Sequence, residues 1–257
     1  MIHLDQITFH YPNHEAVFEG FDWQVQAGEA WAVLGPSGCG KSTLLYLLAG
    51  LRFPQGGRVT IQGETLTKPR PRTGLILQDF GLLPWASVKD NISLGLRLRR
   101  FYGPDGRHAP TDEEVQDIDA QVEYWLARLG LEGVRNNYPG QISGGQRQRT
   151  AIARTLATGP DLLLMDEPFA SLDAPTRKSL GRLVRRLRQE AGLTTVIVTH
   201  AIEEAARLGE KILVLGQPPN RTAHVVQNQR AASEGYSQTQ EYLELCTSLH
   251  RQLEVTQ

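Results

Sequence analysis

The rhythm of hydrophobic and polar positions changes along this chain. Near the N-terminus Ile2, Leu4, Ile7, Phe9 and Tyr11 alternate with more polar neighbours at a period near two, broken once between Leu4 and Ile7. Phe21, Trp23 and Val25 repeat the alternation. A period of two places apolar side chains on one face of a strand, so both stretches are expected to be half-buried antiparallel strands. Four later runs, residues 31–34, 162–165, 196–198 and 212–215, are apolar throughout. Such runs suit central strands covered on both faces, and the first is followed at once by a glycine loop and a helical stretch. The expected class is α/β, with a mostly parallel sheet.

Between residues 79 and 160 no strong strand pattern occurs. Residues 112–129 carry acidic side chains early and then Val115, Ile118, Val122, Trp125, Leu126 and Leu129 at helical spacing. Residues 101–111, rich in Gly, Pro and charge, are expected to be an exposed loop. The division is therefore a core of 1–78 and 161–215 with an N-terminal antiparallel β subdomain, an inserted helical subdomain at 79–160, and a short extension at 216–257. That extension is expected to hold a helix over 238–253.

The loop after the first apolar run reads Gly35-Pro36-Ser37-Gly38-Cys39-Gly40-Lys41-Ser42, with Thr43 next. Two glycines flanking four residues, then Lys and Ser, are what a phosphate cradle needs. The glycines let the backbone wrap the phosphates, Lys41 reaches the β- and γ-phosphates, and the Ser42 hydroxyl ligates Mg²⁺. The helix that follows turns its positive end to the anion. ATP with Mg²⁺ is the expected ligand of a P-loop NTPase core. Cys39 is expected to fill the loop rather than to sense redox state. The run 162–165 ends in Asp166-Glu167-Pro168. Asp166, at the strand end, is placed to hold Mg²⁺ and Glu167 to polarise an attacking water; the bland alternative is a solvated acidic turn.

A second glycine site stands at Ile142-Ser143-Gly144-Gly145-Gln146-Arg147. Ser143 is a good N-cap, and Ala151, Ile152, Thr155 and Leu156 share one face of the helix that follows. Two glycines at a helix N-terminus form another anion site, and one chain should not need two. The site makes sense if it meets the ATP held by a second copy. Arg147 and Arg149 are expected to lie on a solvated helix face.

Ser143-Gly144-Gly145-Gln146 resembles the signature motif of ATP-binding-cassette (ABC) ATPases, with Ile142 where most members have leucine. The resemblance covers roughly residues 2–215. It implies that Tyr11 stacks on adenine, that Gln78 touches Mg²⁺ and the attacking water, that Asp173 crosses a dimer interface, and that His200 contacts the γ-phosphate. It also implies a head-to-tail dimer in which each ATP meets Lys41 of one copy and Ser143–Gln146 of the other. ATP hydrolysis by Glu167, with Lys41, Gln78 and His200 assisting, is the implied reaction.

Residues 77–92 are similar to the segment after this glutamine in ATPases of the nitrate/sulfonate/taurine importer family. That similarity implies two membrane permease subunits docking near Leu82, Leu83 and Trp85, a separate solute-binding protein, and a peripheral place on the cytoplasmic face of the inner membrane. The alternative for Trp85 is to pack within the helical subdomain. An exporter motor and a non-transport ABC ATPase are the rival functions.

Bulk properties narrow these. With 27 basic and 28 acidic residues the net charge is −1, without the basic excess of a nucleic-acid binder. Two cysteines make no disulfide framework. Residues 1–5 lack the pattern of a secretory signal, and no apolar run reaches the ~20 residues of a membrane span. No sustained heptads lie between Lys41 and Asp166, as a DNA-repair member would carry. Ala201, Gly209-Glu210-Lys211 and the long 101–111 loop depart from the relatives and leave the solute open.

Overall fold

A computed structural model of the chain describes residues 1–112, 117–231, 233 and 235–255. The elements run β1 (Ile2–His10), β2 (Ala16–Val25), β3 (Ala30–Leu34), α1 (Lys41–Leu48), β4 (Gly56–Ile61), β5 (Glu64–Thr65), β6 (Thr73–Ile76), α2 (Val88–Tyr102), α3 (Ile118–Leu129) and α4 (Gly144–Leu156). They continue with β7 (Leu162–Asp166), α5 (Ala174–Ala191), β8 (Thr194–Thr199), α6 (Ile202–Leu208), β9 (Lys211–Val214), β10 (His224–Gln227) and α7 (Gln240–Val255).

β2, β1, β4 and β5 form an antiparallel sheet in that order. The break in the β1 alternation is a bulge at Gln6, whose φ is +49° and whose backbone N–H donates to Asp22 Oδ1 at 2.9 Å. The extra residue returns both Leu4 and Ile7 to the buried face. The second sheet has the order β10-β9-β3-β8-β7-β6, parallel except for β10. Its continuous apolar runs feed two cores, because successive side chains of a strand point to opposite faces. Leu162 and Leu164 pack with α1 and the antiparallel sheet, whereas Leu163 and Met165 pack with α2, α3 and α4. A smaller cluster joins β3 and β9 to α6 and to Leu249 of α7.

Residues 79–160 hold α2, α3 and α4, with no strand among the described residues. Their starts are set by side-chain caps. Ser87 accepts from the Asp90 N–H, Asp117 from the Ala120 N–H, and Ser143 from the Gln146 N–H. At α4 the bond is reciprocal, since Gln146 Oε1 accepts from the Ser143 N–H at 2.9 Å, forming a capping box.

Three expectations need correction. The segment 101–111 is not all loop: Phe101 and Tyr102 form the last turn of α2, and Ala109 and Pro110 are buried. The helix expected over 112–129 begins at Ile118, where Asp117 caps it, and Val115 falls outside the described residues. Arg147 and Arg149 are not a solvated face. Arg147 donates to Pro139 O and Ile142 O and lies over the Phe80 ring, and Arg149 donates to Leu129 O, so both staple α4 to its surroundings. The C-terminal helix, expected over 238–253, runs Gln240–Val255.

Candidate functional site

The C-terminal ends of β3, β8 and β7 lie side by side, since the three strands pair in parallel. In an open parallel sheet this is where ligands bind. A cavity of about 1040 Å³ opens there. Its wall is made by Tyr11, by Ser37, Gly38, Gly40, Lys41, Ser42 and Thr43 of the glycine loop and α1, and by Gln78, Asp166, Glu167 and His200.

The glycine loop has this shape because other residues do not fit it. A Cβ on Gly35 would lie 2.6 Å from Cys39 Sγ and 2.7 Å from Leu215 O. Gly40 precedes α1 at φ +105°, and a Cβ there would lie 2.4 Å from Val17 Cγ1. No side chain caps α1, so its first N–H groups and the positive end of its dipole are available beside the cavity. Lys41 Nζ donates to Gly35 O at 2.9 Å and to Pro36 O at 2.8 Å, folding the ammonium into the loop. The Cys39 side chain is fully buried and burial pushes its thiol pKa up, which fits a packing role.

Ser42 Oγ donates to Asp166 Oδ1 at 3.2 Å, so the hydroxyl after the lysine and the strand-end carboxylate face each other. Burial raises the Asp166 pKa, opposed by the Ser42 hydrogen bond. These hard oxygens, with Gln78 beside them, suit Mg²⁺, which takes one or two carboxylate or hydroxyl ligands and completes its shell with phosphate and water. The described residues hold no cluster of three His, Cys, Asp or Glu that would instead form an all-protein metal cage.

Glu167 adopts φ +46°, uncommon for a residue with a Cβ. Its N–H donates to Val198 O at 2.9 Å, extending the β7–β8 pairing by one residue while the side chain turns into the cavity. His200, two residues beyond Val198, brings Nδ1 to 2.8 Å from Glu167 Oε1. Glu167 Oε2 is buried and has no hydrogen-bond partner among the described residues. The carboxylate is thus oriented by His200 through one oxygen and carries no other side-chain partner among the described residues. Tyr11 packs edge-on against Phe9 and its hydroxyl lies 3.2 Å from Thr43 Oγ1, which turns the ring's exposed side to the cavity.

Ser143, Gly144, Gly145, Gln146 and Asp173 are not part of this wall. They do lie together elsewhere. A Cβ on Gly145 would meet Thr176 Cγ2 at 2.8 Å and one on Gly144 would meet Leu172 Cδ2 at 3.2 Å, while Asp173 caps α5. The α4 start and the 171–176 segment therefore form one surface, with Ser143 and Asp173 exposed. A second cavity, lined by Gln78, Asp166, Arg147 and Ser171 among others, lies between this surface and the first cavity.

Sequence reasoning missed Gln217 and Pro218, which line the cavity from the segment after β9. It also missed buried Asn220, which donates to Cys39 O at 2.9 Å and accepts from the Gly216 N–H. No motif marks these residues; their roles follow from the chain turning back toward the glycine loop. Trp85 is 75% exposed, so it does not pack within the helical part; Leu82 is half-buried against that core. The loop is nevertheless fixed: Asn91 hydrogen-bonds Leu83, Ala86 and Ser87, and Arg154 donates to Phe80 O and Gly81 O. No helix among the described residues is long and apolar enough to cross a membrane.

Comparison with known proteins bears on this geometry. The profile of a family described as ABC transporter matches residues 18–170. The chain is 40% identical over 218 residues to the taurine import ATP-binding protein TauB of Escherichia coli O157:H7, covering 84% of this chain and 81% of that protein. It is 37% identical over 238 residues to the aliphatic sulfonates import ATP-binding protein SsuB of Bacillus thuringiensis subsp. konkukian, covering 93% and 88%. Among solved structures, the dimeric post-hydrolysis state of the ATP-binding cassette MJ0796 bound to ADP and Pi is similar at a TM-score of 0.72 and 29% identity, covering 88% of this chain and 98% of that one. The cbiO1 subunit of Clostridium perfringens, at 24% identity and a TM-score of 0.76 over 98% of each chain, shares the fold.

Proposed function

This chain belongs to the ABC transporter family, and from that premise we propose that it is the subunit of an importer that binds and hydrolyses ATP. It energises uptake of a small solute, of the nitrate, sulfonate, taurine or vitamin-precursor kind, through separate membrane subunits. The observation that carries the reading is the convergence of Lys41, Asp166, Glu167 and His200 on one cavity at the ends of β3, β7 and β8. The names of the relatives support the importer and the solute class.

In this reading Tyr11 stacks on the adenine, and the loop from Gly35 to Thr43 wraps the phosphates. Lys41 leaves the Gly35 and Pro36 carbonyls for the β- and γ-phosphates. Ser42, Asp166 and Gln78 hold Mg²⁺, which when bound offsets phosphate charge. Glu167 accepts a proton from water as the water oxygen bonds the γ-phosphorus and the bond to the bridging oxygen of ADP breaks. His200 orients Glu167 through Oε1 and contacts the γ-phosphate.

The α4 start stands on a surface outside its own cavity, so it is assigned to the ATP of a second copy, in a two-fold head-to-tail dimer whose closure completes each site. Ser143, Gly144, Gly145, Gln146 and Asp173 supply that half. Residues 79–160 act as the unit that carries the first four, and Asp173 joins them from the start of α5. Exposed Trp85 on its braced loop is the anchor for the permease, since large exposed aromatic side chains dominate docking energetics. The chain then works peripherally at the inner face of the membrane.

The importer assignment is tested by detergent pull-down of the tagged chain from its native membranes with ATP present. A multi-span subunit is expected to be retained by the native chain and lost with Trp85→Ala, whose ATP affinity stays unchanged. Recovery of ribosomal or other non-membrane proteins alone overturns it.

A further inference from the structure

Helix α6 starts two residues after His200, and its start is built unusually. The N-cap, Ala201, has no side chain that can cap. Its N–H donates instead to Thr199 Oγ1 at 3.0 Å, and the Thr199 hydroxyl donates in turn to Glu204 Oε2 at 2.8 Å. A capping box would join the N-cap N–H directly to the third helical residue. Here the same two positions, Ala201 and Glu204, are joined through a threonine, and His200 sits inside the closed ring. Glu204 is 6% exposed, and its Oε1 has no hydrogen-bond partner among the described residues. A carboxyl that deep, with one oxygen unpaired, is costly to the fold. The charged groups facing it are Glu167 from the β7 end, Arg177 from α5 and His200 from the β8 end.

We propose that Glu204 is a positioning residue for the Glu167–His200 pair, holding His200 in place through Thr199 and Ala201. The proposal rests on the roles assigned above to Glu167 and His200. Two consequences separate it from plain packing. The relay needs only an acceptor for the Thr199 hydroxyl, so Glu204→Gln retains it and Glu204→Leu does not. Thr199→Val cuts the relay while leaving the carboxylate in place.

The experiment follows the His200 ring by NMR in the full-length protein, assigned by the signal missing in His200→Gln, together with steady-state ATP turnover. The His200 ring signals are expected to move in Glu204→Leu and Thr199→Val, where the relay is cut, and to keep their wild-type positions in Glu204→Gln. Turnover by Glu204→Leu and Thr199→Val is expected to fall ~10-fold with KM for ATP unchanged, as for a mispositioned reacting group, and Glu204→Gln to stay within about threefold of wild type. His200 ring signals unmoved in Glu204→Leu and Thr199→Val, or Glu204→Leu turning over like wild type, overturns the proposal. If the wild-type protein hydrolyses no ATP the functional assignment fails instead, and the His200 ring signals still decide whether Glu204 holds it.

Discussion

Acidification should stabilise this fold through one carboxyl. Burial, partly offset by the Thr199 hydrogen bond, raises the Glu204 pKa from 4.5 to about 6. A group whose pKa is raised by folding gives its full contribution to stability below the unfolded value, near 4.5, and loses it as pH rises through about 6. At ~1.4 kcal/mol per pH unit separating the two states, ionised Glu204 costs the fold about 2 kcal/mol by pH 7.5, and about 1 kcal/mol of that accrues above pH 5. Other groups titrate over the same range, so the useful quantity is the difference between wild type and Glu204→Gln. The amide keeps the shape and an acceptor for Thr199 but cannot ionise. Urea unfolding at several pH values is expected to show the variant more stable by about 2 kcal/mol at pH 7.5, with the gap narrowing by about 1 kcal/mol at pH 5. In thermal melts that narrowing amounts to about 2–4 °C for a chain of this size. A gap that stays constant with pH, or a variant less stable than wild type at pH 7.5, would refute the reasoning.

Two other perturbations read different parts of the structure. Lys41→Ala removes the only ammonium among the described residues of the cavity wall and is expected to weaken ATP binding ~10-fold or more in a calorimetric titration, with a Tm close to wild type. Gly57→Ala places a Cβ 2.3 Å from both Asp5 O and Gln6 O at φ +74°, so the β1 bulge must shift; a loss of about 2–4 kcal/mol in urea unfolding is expected, with ATP affinity retained.

The sequence carried the sheet and the phosphate cradle because their determinants are local. The apolar run 162–165 announces a strand buried on both faces, and the glycine spacing before Lys41 has few structural uses. Elements whose determinants are not local were missed. β4 opens Gly56-Gly57 and alternates only over Arg58-Val59-Thr60-Ile61, and β6 is four residues interrupted by Gly74; pairing with β1 and β7 makes them strands. The last turn of α2 escaped notice because Phe101 and Tyr102 adjoin a glycine- and proline-rich loop, and a helix end is set by its cap, here Gly103, rather than by composition. In the site, the motif residues were legible one at a time, but the contact between Glu167 and His200 depends on β7 lying beside β8. Glu204 could not be recognised at all: a glutamate after another glutamate in a short helix looks solvated, and only the relay to Thr199 places it indoors. Asn220 is similar, since its partner Cys39 lies far back in the chain.

The most direct test of the central claim is ATP turnover by the purified chain with Mg²⁺, wild type against Glu167→Gln, with nucleotide binding and oligomeric state measured on the same samples. Turnover is expected to fall ~10²–10⁴-fold, the usual worth of a positioned base, with ATP still bound and held in a dimer that does not reopen. Near wild-type turnover in Glu167→Gln, or ATP bound by a monomer that never associates, would contradict it.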